Sequence, residues 1–181
     1  MTKFVKILVA AMLLVSLLAG CGKSSQFGSL ASKAQAFENG DYSKLEEMCP
    51  AAYWEYMEDE YDFDIDDRID SMEESFEEYS AEDYEETYGK NWKVTLSAEN
   101  EKKLDKDTVE DIAKCLEEYG IDEKDVTAAY KVWVKRTVKG DDDKNITMRT
   151  YHVVKISGKF YICNVYMEED DKVESASFYF G

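Results

Sequence analysis

Val153-Val154-Lys155-Ile156-Ser157-Gly158-Lys159-Phe160-Tyr161-Ile162 decides the fold of this chain. Two runs of β-branched and aromatic residues flank Ser157-Gly158, a two-residue turn pair that predicts a tight antiparallel hairpin. Upstream, Tyr130, Val132, Val134 and Val138 line one side of a strand, with Lys131, Lys135 and Lys139 on the other. The polar stretch Gly140-Asp141-Asp142-Asp143-Lys144-Asn145 turns that strand into a second, Ile146 to Ile156, which feeds the hairpin. Downstream, Lys159 to Met167 and Val173 to Phe180 read as further strands. Trp92, Val94 and Leu96 alternate and predict a short strand earlier in the chain.

The first half reads as helix. Leu30, Ala34 and Phe37 share a face that Asn39-Gly40 ends. Ser43 and Glu46 have capping-box spacing and predict a second helix. Pro50 breaks it and opens another through Met57. Ile65, Ile69, Met72 and Phe76 form the clearest amphipathic series, opposite an acidic face. Asp107 and Glu110 suggest a cap for a helix that buries Val109, Ile112, Ala113 and Leu116 and ends at Gly120. Helices, one strand, one helix and then hairpin-linked strands imply an α+β layer fold: N-terminal helices plus one helix on a curved antiparallel sheet of four to five strands.

Asn39-Gly40-Asp41-Tyr42 at the first helix exit, together with the Val153–Ile162 hairpin, resembles small lipoproteins of the cystatin-like or nuclear-transport-factor-like cone superfamily. The similarity covers roughly residues 30–168 and implies helices wrapped against a curved sheet. The helix between Asp107 and Gly120 follows the cystatin-like order more closely than the cone's. That departure bears on the deep pocket the cone domains carry.

Lys3 and Lys6, an apolar run from Ile7 to Leu17, and Leu18-Ala19-Gly20-Cys21 resemble a bacterial lipoprotein signal with its lipobox. The apolar run is about a dozen residues, whereas a membrane span needs about 20. The resemblance implies cleavage between Gly20 and Cys21, a diacylglyceryl group on the Cys21 thiol, and a protein lipid-anchored at the cell membrane, facing outside the cytoplasm. On this reading residues 1–20 are a signal peptide, 21–29 a flexible tether and 30–181 a single domain. About 150 residues bury roughly 70% of their unfolded surface, enough for a core.

The chain has 40 acidic and 22 basic residues, a net charge of −18. Without Lys3 and Lys6 the balance is 20 basic against 40 acidic, or −20. No basic excess exists to neutralise a phosphate backbone, so a nucleic-acid partner is not expected. Cys49, Cys115 and Cys163 are an odd set with no C-x-x-C, which favours buried thiols over a zinc or redox site.

Candidate chemistry is sparse. Between Glu55 and Glu86 stand 17 carboxylates and one base, Arg68. Within that segment Asp62, Asp64, Asp66, Asp70 and Glu73 fall at the first, third, fifth, ninth and twelfth positions of a sequence that partly resembles an EF-hand calcium loop. Asp67 stands where such a loop needs glycine. A helix through Ile65 and Phe76 would instead spread these carboxylates over its surface. His152, the sole histidine, lies mid-strand opposite Cys163 if the hairpin turn has two residues. On a concave sheet face it could serve as a general base; its plainer reading is a hydrogen-bonded strand residue. Lys131, Lys135, Lys139 and Trp133 form a basic, aromatic strand face. No P-loop, G-x-G-x-x-G or G-x-S-x-G motif occurs. The leading expectation is therefore an anchored, non-enzymatic module that binds an extracytoplasmic protein or small ligand. The alternatives are a pocket enzyme using His152 and a calcium-binding surface protein.

Overall fold

This computed structural model describes residues 25–168 and 172–178. The elements are α1 (Ala31–Glu38), α2 (Ala51–Tyr61), α3 (Ile65–Ser75), α4 (Glu82–Tyr88), β1 (Lys93–Lys103), α5 (Lys106–Leu116), β2 (Val126–Lys139), β3 (Lys144–Ile156), β4 (Lys159–Met167) and β5 (Val173–Ser177). The strands form one open antiparallel sheet in the order β1-β2-β3-β4-β5. The fold is the expected α+β arrangement, with five strands.

The hairpin has the expected register, with Ile156 opposite Lys159 and His152 opposite Cys163. Ser157 and Gly158 have φ of 47° and 85°, the double positive φ that a type I′ turn requires and that matches strand twist. After Cys163, β4 leaves β3 and pairs with β5 instead. The first half of β3 therefore pairs with β2 alone, and from Lys144 to Thr150 it is exposed.

The alternation along β2 assigns the two sheet faces. Val132, Val134, Val153 and Ile162 pack under α1 and the turn before it, against Phe27, Leu30 and Ala34. On the same face Tyr88 of α4 meets Val94 and Val138. The other face buries Ala129, Val154 and Cys163 under Ile112, Ala113 and Leu116 of α5, with Tyr53 of α2 and Phe178 closing the end. Among the described residues every core residue lies between Phe27 and Phe178.

Four local expectations are corrected. Phe27 is fully buried in a 3-10 turn, Gln26–Ser29, and Glu101 of β1 accepts hydrogen bonds from Ser25 Oγ (2.9 Å) and the Gln26 N–H (2.7 Å). Residues 25–29, expected as part of the tether, are thus packed on the domain; burying one Phe contributes about 2–3 kcal/mol toward holding this segment down. Ser43 does not cap a helix, because its hydroxyl donates to Asp41 (2.6 Å) and only a 3-10 turn, Glu46–Met48, follows. The cap of α5 is Asp105, which accepts from the Thr108 N–H and hydroxyl at 2.9 Å, two residues ahead of Asp107. Finally, β1 is eleven residues long rather than short, and its ladder is interrupted by a bulge at Glu99. Its outer edge is covered by α1, where Asn39 bonds both the N–H (2.8 Å) and C=O (2.9 Å) of Val94, an arrangement that blocks edge-to-edge pairing.

Candidate functional site

Arg136 stands on the buried face of β2 between Val134 and Val138 and is 7% exposed. A guanidinium there requires a partner. Glu38, the last residue of α1, supplies it: Arg136 Nε donates to Glu38 Oε2 at 2.8 Å. Arg136 Nη2 also donates to the Tyr84 hydroxyl of α4 at 2.6 Å. From β3, Arg149 Nη1 donates to Glu38 Oε1, and the Tyr151 hydroxyl donates to the same oxygen at 3.3 Å. One carboxylate therefore ties α1 to two strands of the sheet. Burial alone would lower the Arg136 pKa, but the hydrogen bond and charge of Glu38, with Tyr84, hold it above its ordinary value. Burial first, then the Glu38 charge, raises the Tyr151 hydroxyl.

Arg136 lies behind, while Glu38, Tyr84, Arg149 and Tyr151 of this network line an open cavity of about 300 Å³ between α1, the α3–α4 run and the sheet. Its walls include Phe37, Tyr42, Phe76, Tyr84 and Tyr151, with Ser80 and Asn164 as neutral polar groups. Between α3 and α4 the helix widens into a π turn, Phe76–Ala81, a feature common at functional sites. The turn contributes both Phe76 and Ser80 to the lining. Gly40 (φ 81°) lets the chain after α1 pass directly over the Phe76 ring, where an added Cβ would fall 2.4 Å from ring carbons. Tyr42 meets Phe37 and Phe76 edge-on, with centroids 4.9 and 6.2 Å away. Glu38 and Arg149 are the charged residues of the lining, and Arg136 lies behind it as the second cation on the same carboxylate.

Sequence reading did not single out Glu38, Tyr84, Arg136, Arg149 or Tyr151. One signal was present: Arg136 interrupts an otherwise apolar face of β2 at the period of the strand.

The sequence candidates lie elsewhere. Gly20 and Cys21 fall outside the described residues. Asp62 closes α2 with φ 51°, and Asp64 caps α3 by accepting from the Asp66 and Asp67 N–H groups at 2.8 and 3.2 Å. Asp66, Asp70 and Glu73 then lie along α3. The segment takes up a helix start where an EF-hand would form a loop, and among the described residues no three His, Cys, Asp or Glu side chains gather as a metal set. His152 borders an open cleft of about 590 Å³ where β4 leaves β3, together with Cys163, Asn164, Tyr166, Ser175 and Ser177. Its Nε2 is buried without a hydrogen-bond partner, unlike the bonded strand histidine expected. Burial, then nearby Lys131, lowers its pKa to about 4, and burial raises the Cys163 thiol. The neighbours are thus a neutral imidazole and a protonated thiol, and among the described residues no carboxylate lines the cleft to orient the ring. Cys49, Cys115 and Cys163 are free thiols.

No family model, curated protein or solved structure matches the chain. Among the described residues no helix is long and apolar enough to cross a membrane.

Proposed function

We propose that this chain is a lipid-anchored, extracytoplasmic binding module whose aromatic cavity over Glu38 takes a small ligand with an aromatic or aliphatic body and a carboxylate head. The observation that carries the reading is Arg149 on Glu38 in the lining of an aromatic-walled cavity, with Arg136 behind them compensating the same carboxylate. Arg149 is the more exposed of the two, at 47%. It can turn from Glu38 to an incoming carboxylate and form a charge-assisted, two-pronged contact while Arg136 keeps Glu38 compensated. The aromatic walls supply apolar contact, and Ser80 offers an orienting hydrogen bond. The anchoring half of the reading rests on Cys21 in its lipobox-like setting.

Thermal melts of residues 25–181 with small arylalkyl carboxylates and their matched amides test the cavity. Carboxylates such as phenylacetate raise the melting temperature, phenylacetamide does not, and Arg149→Gln removes the difference. Equal shifts for acid and amide, or no shift for either, would overturn the ligand class. Membrane fractionation of full-length Cys21→Ala tests the anchor separately: the variant should remain unprocessed or leave the membrane fraction.

A further inference from the structure

The outer edge of β1 is finished by α1, where Asn39 takes up the main chain of Val94. The edge of β3 is left open, because β4 turns away after Cys163 and residues 144–150 pair with β2 alone. The phase of the ladder shows which groups this edge offers. The Gly140 N–H donates to the Asp143 C=O at 3.0 Å, and hydrogen-bonded pairs recur at every second residue from there. Asn145, Thr147 and Arg149 therefore spend their main-chain groups on β2, while Ile146, Met148 and Thr150 direct theirs outward. The ladder runs through this stretch without a bulge, and the stretch contains neither proline nor carboxylate. The usual guards against strand addition are thus reduced to two charges near its ends, Lys144 and Arg149. Between them stand Ile146 and Met148, 52% and 55% exposed.

We infer that this edge is the interface of a homodimer, in which β3 pairs antiparallel with β3 of a second copy about a two-fold axis at Thr147. That register is self-complementary. Ile146 of each copy meets Met148 of the other as the hydrogen-bonded pairs, which joins the exposed apolar groups. Lys144 falls opposite Thr150 and Asn145 opposite Arg149, so no like charges face each other directly. Parallel pairing would instead set Lys144 beside Lys144 and Arg149 beside Arg149, which is unfavourable. Past the paired stretch, the turn at residues 141–143, three aspartates, reaches the Arg149 end of the other copy, where opposite charges meet. The cleft of about 590 Å³ between β3 and the departing β4 gives that turn room. Tyr166, 65% exposed, borders the cleft, so three of the five large apolar side chains exposed among the described residues lie along this interface. A second copy fits better than a foreign strand because the chain itself supplies both halves of the match, the apolar centre and an acidic turn placed to meet the basic end. The contact uses the same patch on both copies, so it closes at two and merges their sheets into one.

This interface requires neither a lipid on Cys21 nor a carboxylate in the Glu38 cavity. Its test is cysteine trapping in the full-length chain under copper–phenanthroline oxidation, read on non-reducing gels against the parent chain with its own cysteines. At the axis Thr147 meets its copy as a non-hydrogen-bonded pair, with Cα atoms about 4.5 Å apart, within the range a disulfide spans. Thr147→Cys should therefore form a covalent dimer by itself. Thr150→Cys alone should not, since its two copies lie at opposite ends of the paired stretch, but a mixture of Thr150→Cys with Lys144→Cys should. Adding Ile146→Lys to Thr147→Cys places a lysine on each side of the axis and should weaken trapping about tenfold. The thermal melt should not change, because position 146 is exposed. Trapping that is absent at 147, equal at 147 and 150, or insensitive to Ile146→Lys would overturn the inference. A chain that also stays monomeric in sedimentation at every concentration would leave the edge to a foreign strand.

Discussion

Glu38 compensates a guanidinium that has little access to water, so its loss is felt as an unpaired buried charge rather than as one missing contact. Glu38→Ala should destabilise the domain by about 3 kcal/mol in denaturant unfolding, and pairing it with Arg136→Met should recover much of that loss. His152 gives a different residue-scale signature. Its folded pKa, about 4, lies below the ordinary imidazole value of 6.5, so the unfolded chain takes up the proton first. The contribution of the neutral ring is complete above pH 6.5 and is lost as pH falls toward 4. It amounts to on the order of 2 kcal/mol once the solvent-accessible part of the ring is allowed for. Stability followed against pH should fall less steeply across that window in His152→Gln than in the parent; parallel curves would show that the ring is not buried neutral. Residue-scale features of this kind were the least legible in the sequence. Glu38, Arg149 and Tyr151 come from α1 and β3, more than a hundred positions apart, and nothing local marks them as partners. Only Arg136, charged on an apolar strand face, carried its own signal.

At the scale of elements, local chemistry was legible where one residue type decides the conformation. Ser157-Gly158 is the clearest case, because a two-residue hairpin needs positive φ at both positions. An added Cβ at Gly158 would meet nothing within 4 Å, so Gly158→Ala isolates the conformational cost. A loss of about 1–2 kcal/mol in equilibrium unfolding is expected, and an unchanged midpoint would argue against the left-handed turn. The α3 stripe and the stop at Gly120 were legible for the same reason. The Ser43 box failed because Asp41 offers that hydroxyl a nearer acceptor. Asp105 was missed as a cap because Asp107 has an equally plausible glutamate three residues on. The outer part of β1, residues 97–103, lacks apolar alternation; it is held by its ladder to β2, the packing of Ala98, the Glu99–Lys135 pair and the contacts of Glu101. Phe27 looked like part of a linker among glycine and serine, and its burial is a purely tertiary fact.

For the whole molecule, composition gave the sign of the charge but not its placement. The ladders set lysines on the uncovered half of one sheet face, while α5 and α2 cover the rest of that face and the acidic α3–α4 run packs on the other. In the cavity, the acidic α3–α4 run contributes Phe76, Ser80 and Tyr84, and the wall across from it carries Arg149 on Glu38 with Arg136 behind. An anionic ligand would be drawn to the wall and held clear of the helix surface charge. The most direct test uses Trp92, whose ring lies 4.6 Å from Tyr84 and 6.0 Å from Phe76 between centroids, both of them cavity residues. Titrating phenylacetate into residues 25–181 should change the Trp92 emission saturably, and the change should vanish in Trp92→Phe and in Arg149→Gln. Emission that stays constant, or that changes equally in Arg149→Gln, would contradict a carboxylate site at the Glu38 cavity.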